Sequence, residues 1–149
     1  MSTYYLDTSA LVKLYVAETG SAWMESIAVL ETGHLLLTSR ITSVEVTSAL
    51  ARRWREGTLA HRDYADALQA FRYDLLTRYR LVEVDETVSN LAMDLVDRYP
   101  LRAYDGLQLA SALVADRALR LMALSPLIDR LVAAARSEGL FADNPNRHP

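Results

Sequence analysis

Short apolar runs alternate along the chain with longer stretches in which apolar residues recur at helical spacing. The apolar run at residues 4–6 ends abruptly at Asp7, and Thr8 and Ser9 then precede a helical stretch, which predicts a buried strand that turns directly into a helix. Further strands are predicted at residues 34–38, 81–84, 119–124 and 141–142. Helices are predicted at residues 10–15, 22–31, 41–56, 59–79, 101–115 and 127–137, with one more from a cap at Asp85 or Thr87 to Arg98.

Strands that alternate with helices in this way predict a particular architecture. We expect a three-layer α/β/α sandwich with a central parallel sheet of four or five strands. The length of 149 residues suits a single domain, which we place at residues 1–142, followed by a flexible tail at residues 143–149.

Composition narrows the chemistry that this fold can carry. The chain has no cysteine, which excludes disulfides and thiolate metal sites, and its three histidines are too scattered to suggest a zinc site. The net charge of −3 gives no global attraction to nucleic acid, so any such binding would depend on local patches. The sequence has no apolar run long enough to span a membrane, and its N-terminus lacks the features of a signal peptide. We therefore expect a soluble cytoplasmic protein.

Three acidic residues occupy positions that call for an explanation. Asp7 follows the first strand, at the sheet edge where ligands bind in open α/β folds. Glu45 lies early in the helix after the second strand, and Asp105 interrupts an apolar helix face beside Gly106, whose presence suggests a close backbone approach. Each acid also has a simpler interpretation: Asp7 as a helix cap, Glu45 as a solvated helix residue, and Asp105 as the partner of Arg102.

Three carboxylates that met at one sheet edge would repel one another unless a cation lay between them. Oxygen-only ligands favour Mg²⁺, or Mn²⁺, over zinc. Such an ion can activate water for attack on a phosphodiester. The acids therefore predict a metal site for phosphoryl chemistry. The sequence contains neither a glycine-rich phosphate loop nor a nucleophile-elbow motif that would indicate another chemistry.

Three segments together resemble the PIN-domain ribonucleases, and most of all the VapC-type toxins of bacterial toxin–antitoxin pairs. They are residues 5–15, residues 42–46 and residues 101–110. The resemblance extends to residue 140 and implies a parallel α/β/α sandwich, Mg²⁺-dependent RNA cleavage and silencing by a small cognate antitoxin. It assigns metal-binding acids to Asp7, Glu45 and Asp105, and it places the Ser9 hydroxyl beside the metal.

One position departs from the family pattern. The fourth acid of the family aligns with Ile128, while Asp129 lies one residue later, a rotation of about 100° on a helix. Pro126 would let the loop adjust so that Asp129 contributes to the metal site. Asp116 is a poorer substitute, because it precedes the fourth strand and is expected at the opposite rim of the sheet.

Other features leave alternatives open. The basic cluster at residues 52–55 has two interpretations. It contacts RNA phosphates, with Arg52 as the first candidate, and stacks a base, or it is a solvated helix end. The apolar surface of residues 41–79 suggests a homodimer face, an antitoxin groove, or both. Two rival functions are a degenerate PIN module that binds RNA or antitoxin with little cleavage, and a receiver-like phosphoacceptor domain. The receiver requires an acidic pair on the first strand and a late lysine, whereas the only lysine is Lys13.

Overall fold

The computed structural model describes residues 2–119, 122–124 and 129–149. Its strands are β1 (Thr3–Leu6), β2 (Leu35–Ser39), β3 (Tyr79–Val82), β4 (Met122–Leu124) and β5 (Phe141–Asp143). Its helices are α1 (Thr8–Val12), α2 (Ser21–Ala28), α3 (Thr42–Arg55), α4 (His61–Thr77), α5 (Glu86–Arg98), α6 (Ala103–Leu119) and α7 (Asp129–Ser137). Short 3-10 helices at Leu30–Thr32 and Pro145–Arg147 complete the described elements.

The five strands form one parallel sheet in the order β3-β2-β1-β4-β5. Successive side chains of a strand point to opposite faces. In β1, Tyr5 therefore joins the core formed with α5, α6 and α7, while Leu6 joins the core formed with α1 to α4. Helices cover both faces, so the predicted α/β/α sandwich with a central parallel sheet is confirmed.

The close approach predicted at Gly106 is confirmed as well. A Cβ atom at this position would lie 2.4 Å from Cγ1 of Val96 and 3.4 Å from the carbonyl oxygen of Ala92, both on α5. Glycine therefore lets α5 pack directly against α6, next to Asp105.

The bounds of several elements differ from the predicted ones. The predicted helix at residues 22–31 stops at Ala28, because Val29 has extended backbone dihedrals and separates α2 from the following 3-10 helix. The segment predicted as a flexible tail packs against α2: the His148 ring stacks on Trp23 with centroids 4.2 Å apart, and Pro145 is buried. Sequence periodicity cannot detect such a contact, because it joins two short segments far apart in the chain.

A membrane-spanning helix is not found either: within the described ranges, every helix is too short or too polar to cross a bilayer.

Candidate active site

The sheet topology creates a binding position at the carboxyl ends of β1 and β4. The chain order reverses between these two neighbouring strands, and ligands of open α/β folds bind at such a switch point. Asp7 directly follows β1, and α3 begins three residues after β2. Because α6 leads into β4, which is parallel to β1, its first turn with Asp105 starts from the same edge of the sheet.

Asp7 is buried at this edge, with 3% of its surface exposed. Its Oδ1 atom accepts a hydrogen bond from the backbone N–H of Ala10 at 3.0 Å and caps α1. Asp7 therefore acts as a helix cap, as the simpler interpretation of this residue predicted. Asp7 is not among the residues that line the adjacent cleft.

That cleft has a volume of about 1030 Å³ and opens between α1, α3 and the start of α6. Four of the residues predicted for the site line it: Ser9, Glu45, Arg52 and Asp105. The structure thus brings two of the three predicted acids into one solvent-accessible space, while the third, Asp7, is buried at the N-cap of α1, directly before the cleft residue Thr8.

Glu45 is half-buried in the cleft and is held by neighbouring polar groups. The Nε2 atom of Gln108 donates a hydrogen bond to its Oε1 atom at 3.2 Å. Burial raises the pKa of Glu45, hydrogen bonds from Gln108 and Thr8 oppose this effect, and the charge of Asp105 raises the pKa further. The negative charges of the two carboxylates therefore repel each other.

Asp105 occupies the first turn of α6 and is also half-buried. Burial raises its pKa, against the opposing effects of the backbone N–H and the guanidinium charge of Arg102. Among the described side chains, no ion pair within 4.0 Å joins Asp105 to Arg102, so Arg102 acts on the carboxylate through its backbone N–H and through its charge at a longer distance. Burial therefore disfavours the ionised forms of both cleft carboxylates.

Basic side chains line the same cleft as the two acids. The described residues that line the cleft include three anionic residues and four cationic ones, Lys13, Arg52, Arg53 and Arg102. The whole chain, by contrast, has a net charge of −3. Glu18 is the third anion. It accepts hydrogen bonds from Lys13 Nζ at 2.9 Å and from Arg53 Nη2 at 2.8 Å.

The basic cluster at residues 52–55 divides around α3. Arg52 and Arg53 face the cleft, whereas Trp54 stacks on Tyr64 of α4 with centroids 5.1 Å apart and contacts the edge of His61. The helical rotation between adjacent residues explains this separation. A base that stacked on Trp54 would therefore lie outside the cleft that contains the acids.

Gln108 was not predicted as a site residue. It is buried, one turn after Asp105, and its amide contacts both Glu45 and the hydroxyl of Thr42, the latter at 2.9 Å. A glutamine within the apolar stretch of residues 107–113 was the available signal, because a buried amide requires polar partners.

The predicted fourth acid falls largely outside what can be described. Residues 125–128, including Ile128, lie outside the described residues, and of Asp129 only its backbone position at the start of α7 is described. Asp116 belongs to α6, eleven residues after Asp105, which corresponds to roughly 16 Å along the helix axis. It thus lies towards the opposite rim, as predicted. Within residues 2–119, 122–124 and 129–149, no three acidic or histidine side chains are grouped closely enough to hold a metal ion.

Comparison with known proteins places this arrangement in a family. A family profile described as PIN domain matches residues 4–135. Ribonuclease VapC45 of Mycobacterium tuberculosis is 37% identical over 113 residues, which cover 76% of each chain.

Solved structures share the fold at low sequence identity. A toxin–antitoxin complex from Klebsiella pneumoniae matches with a TM-score of 0.63 and 17% identity, over 95% of this chain and 97% of that one. VapC20 of Mycobacterium tuberculosis, a sarcin–ricin-loop-cleaving toxin, matches with a TM-score of 0.63 and 19% identity, over 92% and 95% of the two chains. On its sequence match and its fold, the chain belongs to the PIN-domain family, among its VapC-type toxins.

Proposed function

We propose that this protein is a metal-dependent ribonuclease, the toxin of a type II toxin–antitoxin pair, which hydrolyses RNA phosphodiester bonds. The observation that carries the proposal is the pair of half-buried carboxylates, Glu45 and Asp105, in a cleft with a mainly basic rim. The acids suit a cation, and the basic rim suits a polyanion. The 37% identical relative is named a ribonuclease, which supports the same activity.

The residues of the cleft fit a hard divalent cation. Glu45 and Asp105 are oxygen donors whose pKa values are raised by burial, so a positive charge between them would favour their ionised forms. Mg²⁺ is commonly held by only one or two carboxylates and retains several waters, which fits two cleft acids better than a closed cage of many ligands would. Mn²⁺ has similar ligand preferences.

Each acid has its own role in this proposal. Glu45 and Asp105 hold the cation, while Asp7 caps the first turn of α1 and, like Asp129, is a candidate additional ligand. When bound, Mg²⁺ supplies Lewis acidity that makes water a better nucleophile and stabilises charge on the phosphate.

The remaining cleft residues bind and orient RNA. Arg52 and Arg102 have guanidinium groups suited to bidentate phosphate contacts. The Ser9 hydroxyl is a hydrogen-bond donor in the same space. These groups give an acidic protein a local basic surface on which a polyanion can bind.

A small antitoxin is the second proposed partner. The cleft has an apolar wall that includes Ile41 and Val44, and 69% of the Val44 surface is exposed. An amphipathic helix could lay its apolar face there and direct a basic side chain towards the acids, in competition with the cation. A homodimer is proposed through α4, where Tyr73 and Leu76 are exposed by 66% and 87%.

The alternative is a degenerate module that binds RNA or antitoxin with little cleavage, and it is motivated by Ile128 in the place of the usual acid. The two functions differ in a direct assay. Purified protein is incubated with total bacterial RNA and Mg²⁺ or Mn²⁺, and new RNA ends are mapped by sequencing.

We expect discrete, chelator-sensitive cleavage sites that disappear in Asp105→Asn and Glu45→Gln. Asp94→Asn is the matched control, because Asp94 is exposed on α5 and does not line the cleft. Binding of RNA without cleavage under either metal would support the degenerate module instead.

A further inference from the structure

Gln108 occupies a central place beneath the cleft. Only 3% of its surface is exposed, and it lies in α6 one turn after Asp105. Its side chain contacts residues of three other elements. Its partners are Tyr5 on β1, Thr8 on α1, and Thr42 and Glu45 on α3.

The Tyr5 hydroxyl determines which way round the Gln108 amide lies. The Tyr5 side chain is buried, and its hydroxyl has a single proton to donate. The single phenolic proton is thus directed to Oε1 of Gln108, at 2.6 Å. The amide nitrogen must then face the opposite way, towards Glu45.

The hydroxyls on α3 and β2 determine where the amide protons go. Thr38 donates its proton to the carbonyl oxygen of Leu6 at 2.7 Å, so the Thr42 hydroxyl, 2.8 Å from that of Thr38, must donate to Thr38. The Thr42 oxygen is then an acceptor for one Nε2 proton of Gln108, at 2.9 Å.

One amide proton remains for the cleft side. It faces Oε1 of Glu45 and the oxygen of Thr8, both 3.2 Å from Nε2. The Thr8 hydroxyl also hydrogen-bonds to the Glu45 carboxylate. Glu45 is therefore held by the Gln108 amide, whose orientation is fixed by the buried groups Tyr5 and Thr42, and by the Thr8 hydroxyl.

We propose that Gln108 is a positioning residue that, oriented by Tyr5, fixes the Glu45 carboxylate in the direction required for cation binding. This inference rests on the proposed function, in which Glu45 is a metal ligand. Gln108 touches neither the cation nor the RNA in this scheme. Its contribution is to remove the freedom that a glutamate side chain on a helix surface would otherwise have to lose on binding.

The test compares Gln108→Met with Tyr5→Phe. Methionine keeps the length of glutamine and removes all the hydrogen bonds of its amide, whereas phenylalanine removes only the hydroxyl that orients the amide. Tyr79→Phe is the matched control, because it also removes the hydroxyl of a buried strand tyrosine, here one that lies 2.5 Å from the Tyr15 hydroxyl. Tyr79 lies at the amino end of β3, which is at the rim of the sheet opposite the cleft. Urea unfolding checks that each variant is folded.

The first readout is the affinity of the RNA-free protein for Mn²⁺ alone, measured by calorimetry or by the loss of the free Mn²⁺ resonance signal. We expect affinity to fall about 10-fold in Gln108→Met, as is typical when a partner of a metal ligand is lost, and to fall less in Tyr5→Phe. Tyr79→Phe should bind as the unmodified protein does. If Gln108→Met does not fold, the comparison of the two tyrosine variants decides the question.

The second readout is rescue. Cleavage by Gln108→Met should recover as the Mn²⁺ concentration is raised, whereas a purely structural loss would not respond to metal. A folded Gln108→Met variant with unchanged Mn²⁺ affinity would overturn the inference while leaving the proposed ribonuclease intact. If Glu45→Gln bound Mn²⁺ as tightly as the unmodified protein, the ligand role of Glu45 itself would fail, and the inference with it.

Discussion

Replacement of Gly106 by alanine tests the helix contact that positions Asp105 and Gln108. The new methyl group would lie 2.4 Å from Cγ1 of Val96, whereas carbon atoms normally approach to about 3.5–4.0 Å. One of the two helices, or the Val96 side chain, must therefore move by more than about 1 Å. Valine has one strongly preferred rotamer in a helix, so it cannot turn away freely.

The magnitude follows from two opposing effects. Alanine in place of glycine favours a helix by about 1 kcal/mol, whereas overpacking costs about 1–3 kcal/mol. We expect Gly106→Ala to lower the free energy of unfolding by about 1 kcal/mol. In a Val96→Ala background the clash is absent, so the same substitution should raise the free energy of unfolding by up to about 1 kcal/mol.

Urea unfolding followed by circular dichroism measures all four proteins of this cycle. The predicted coupling between positions 96 and 106 is about 2 kcal/mol, from the difference between the two backgrounds. Equal stabilisation by Gly106→Ala in both backgrounds would refute the close approach of α5 and α6.

Three further predictions concern the site. Burial raises the pKa values of Glu45 and Asp105 above their ordinary values of 4.5 and 3.8, so ionisation of these groups disfavours folding increasingly as the pH rises through the raised values. Glu45→Gln and Asp105→Asn should therefore each stabilise the metal-free protein at pH 7, by at most about 1 kcal/mol after solvent screening. Thermal unfolding should show this gain shrinking towards pH 4, and a gain independent of pH would contradict it. Arg52→Ala should raise the KM for RNA about tenfold with little change in kcat, whereas Arg55→Ala, exposed on the same helix outside the cleft, should have no effect; equal effects would exclude a specific phosphate contact. Asp129→Ala should reduce cleavage about tenfold or less, roughly 1.4 kcal/mol of barrier, and a large gain of cleavage in Ile128→Asp would favour the degenerate module.

The sequence was sufficient to predict the layers of the fold and the edge that carries the acids. Asp7 at the end of an apolar run and Asp105 within an apolar helix stand out because a buried carboxylate is costly, and such a position is visible in one dimension. Gly106 was interpretable for the same reason, since glycine in a helix has a local energetic cost. Helix ends were predicted less well, as the early end of α2 at Ala28 shows.

What the sequence could not reveal depends on contacts between distant segments. The Gln108 network joins residues 63 to 103 positions apart, and neither the partner of Tyr5 nor the direction of the amide leaves a periodic signal. The stacking of His148 on Trp23 is similarly invisible, because each residue is locally unremarkable in its own segment. Such arrangements are fixed by tertiary packing rather than by local preference.

The central claim is that Glu45 and Asp105 together hold the cation on which cleavage depends. Anomalous diffraction from crystals soaked in Mn²⁺ tests it most directly, with Asp105→Asn crystals as the control. We predict a strong anomalous peak in the cleft, within bonding distance of a carboxylate oxygen from each of Glu45 and Asp105, and its loss in the variant. A peak bound by other acids, or an unchanged peak in Asp105→Asn, would contradict the account.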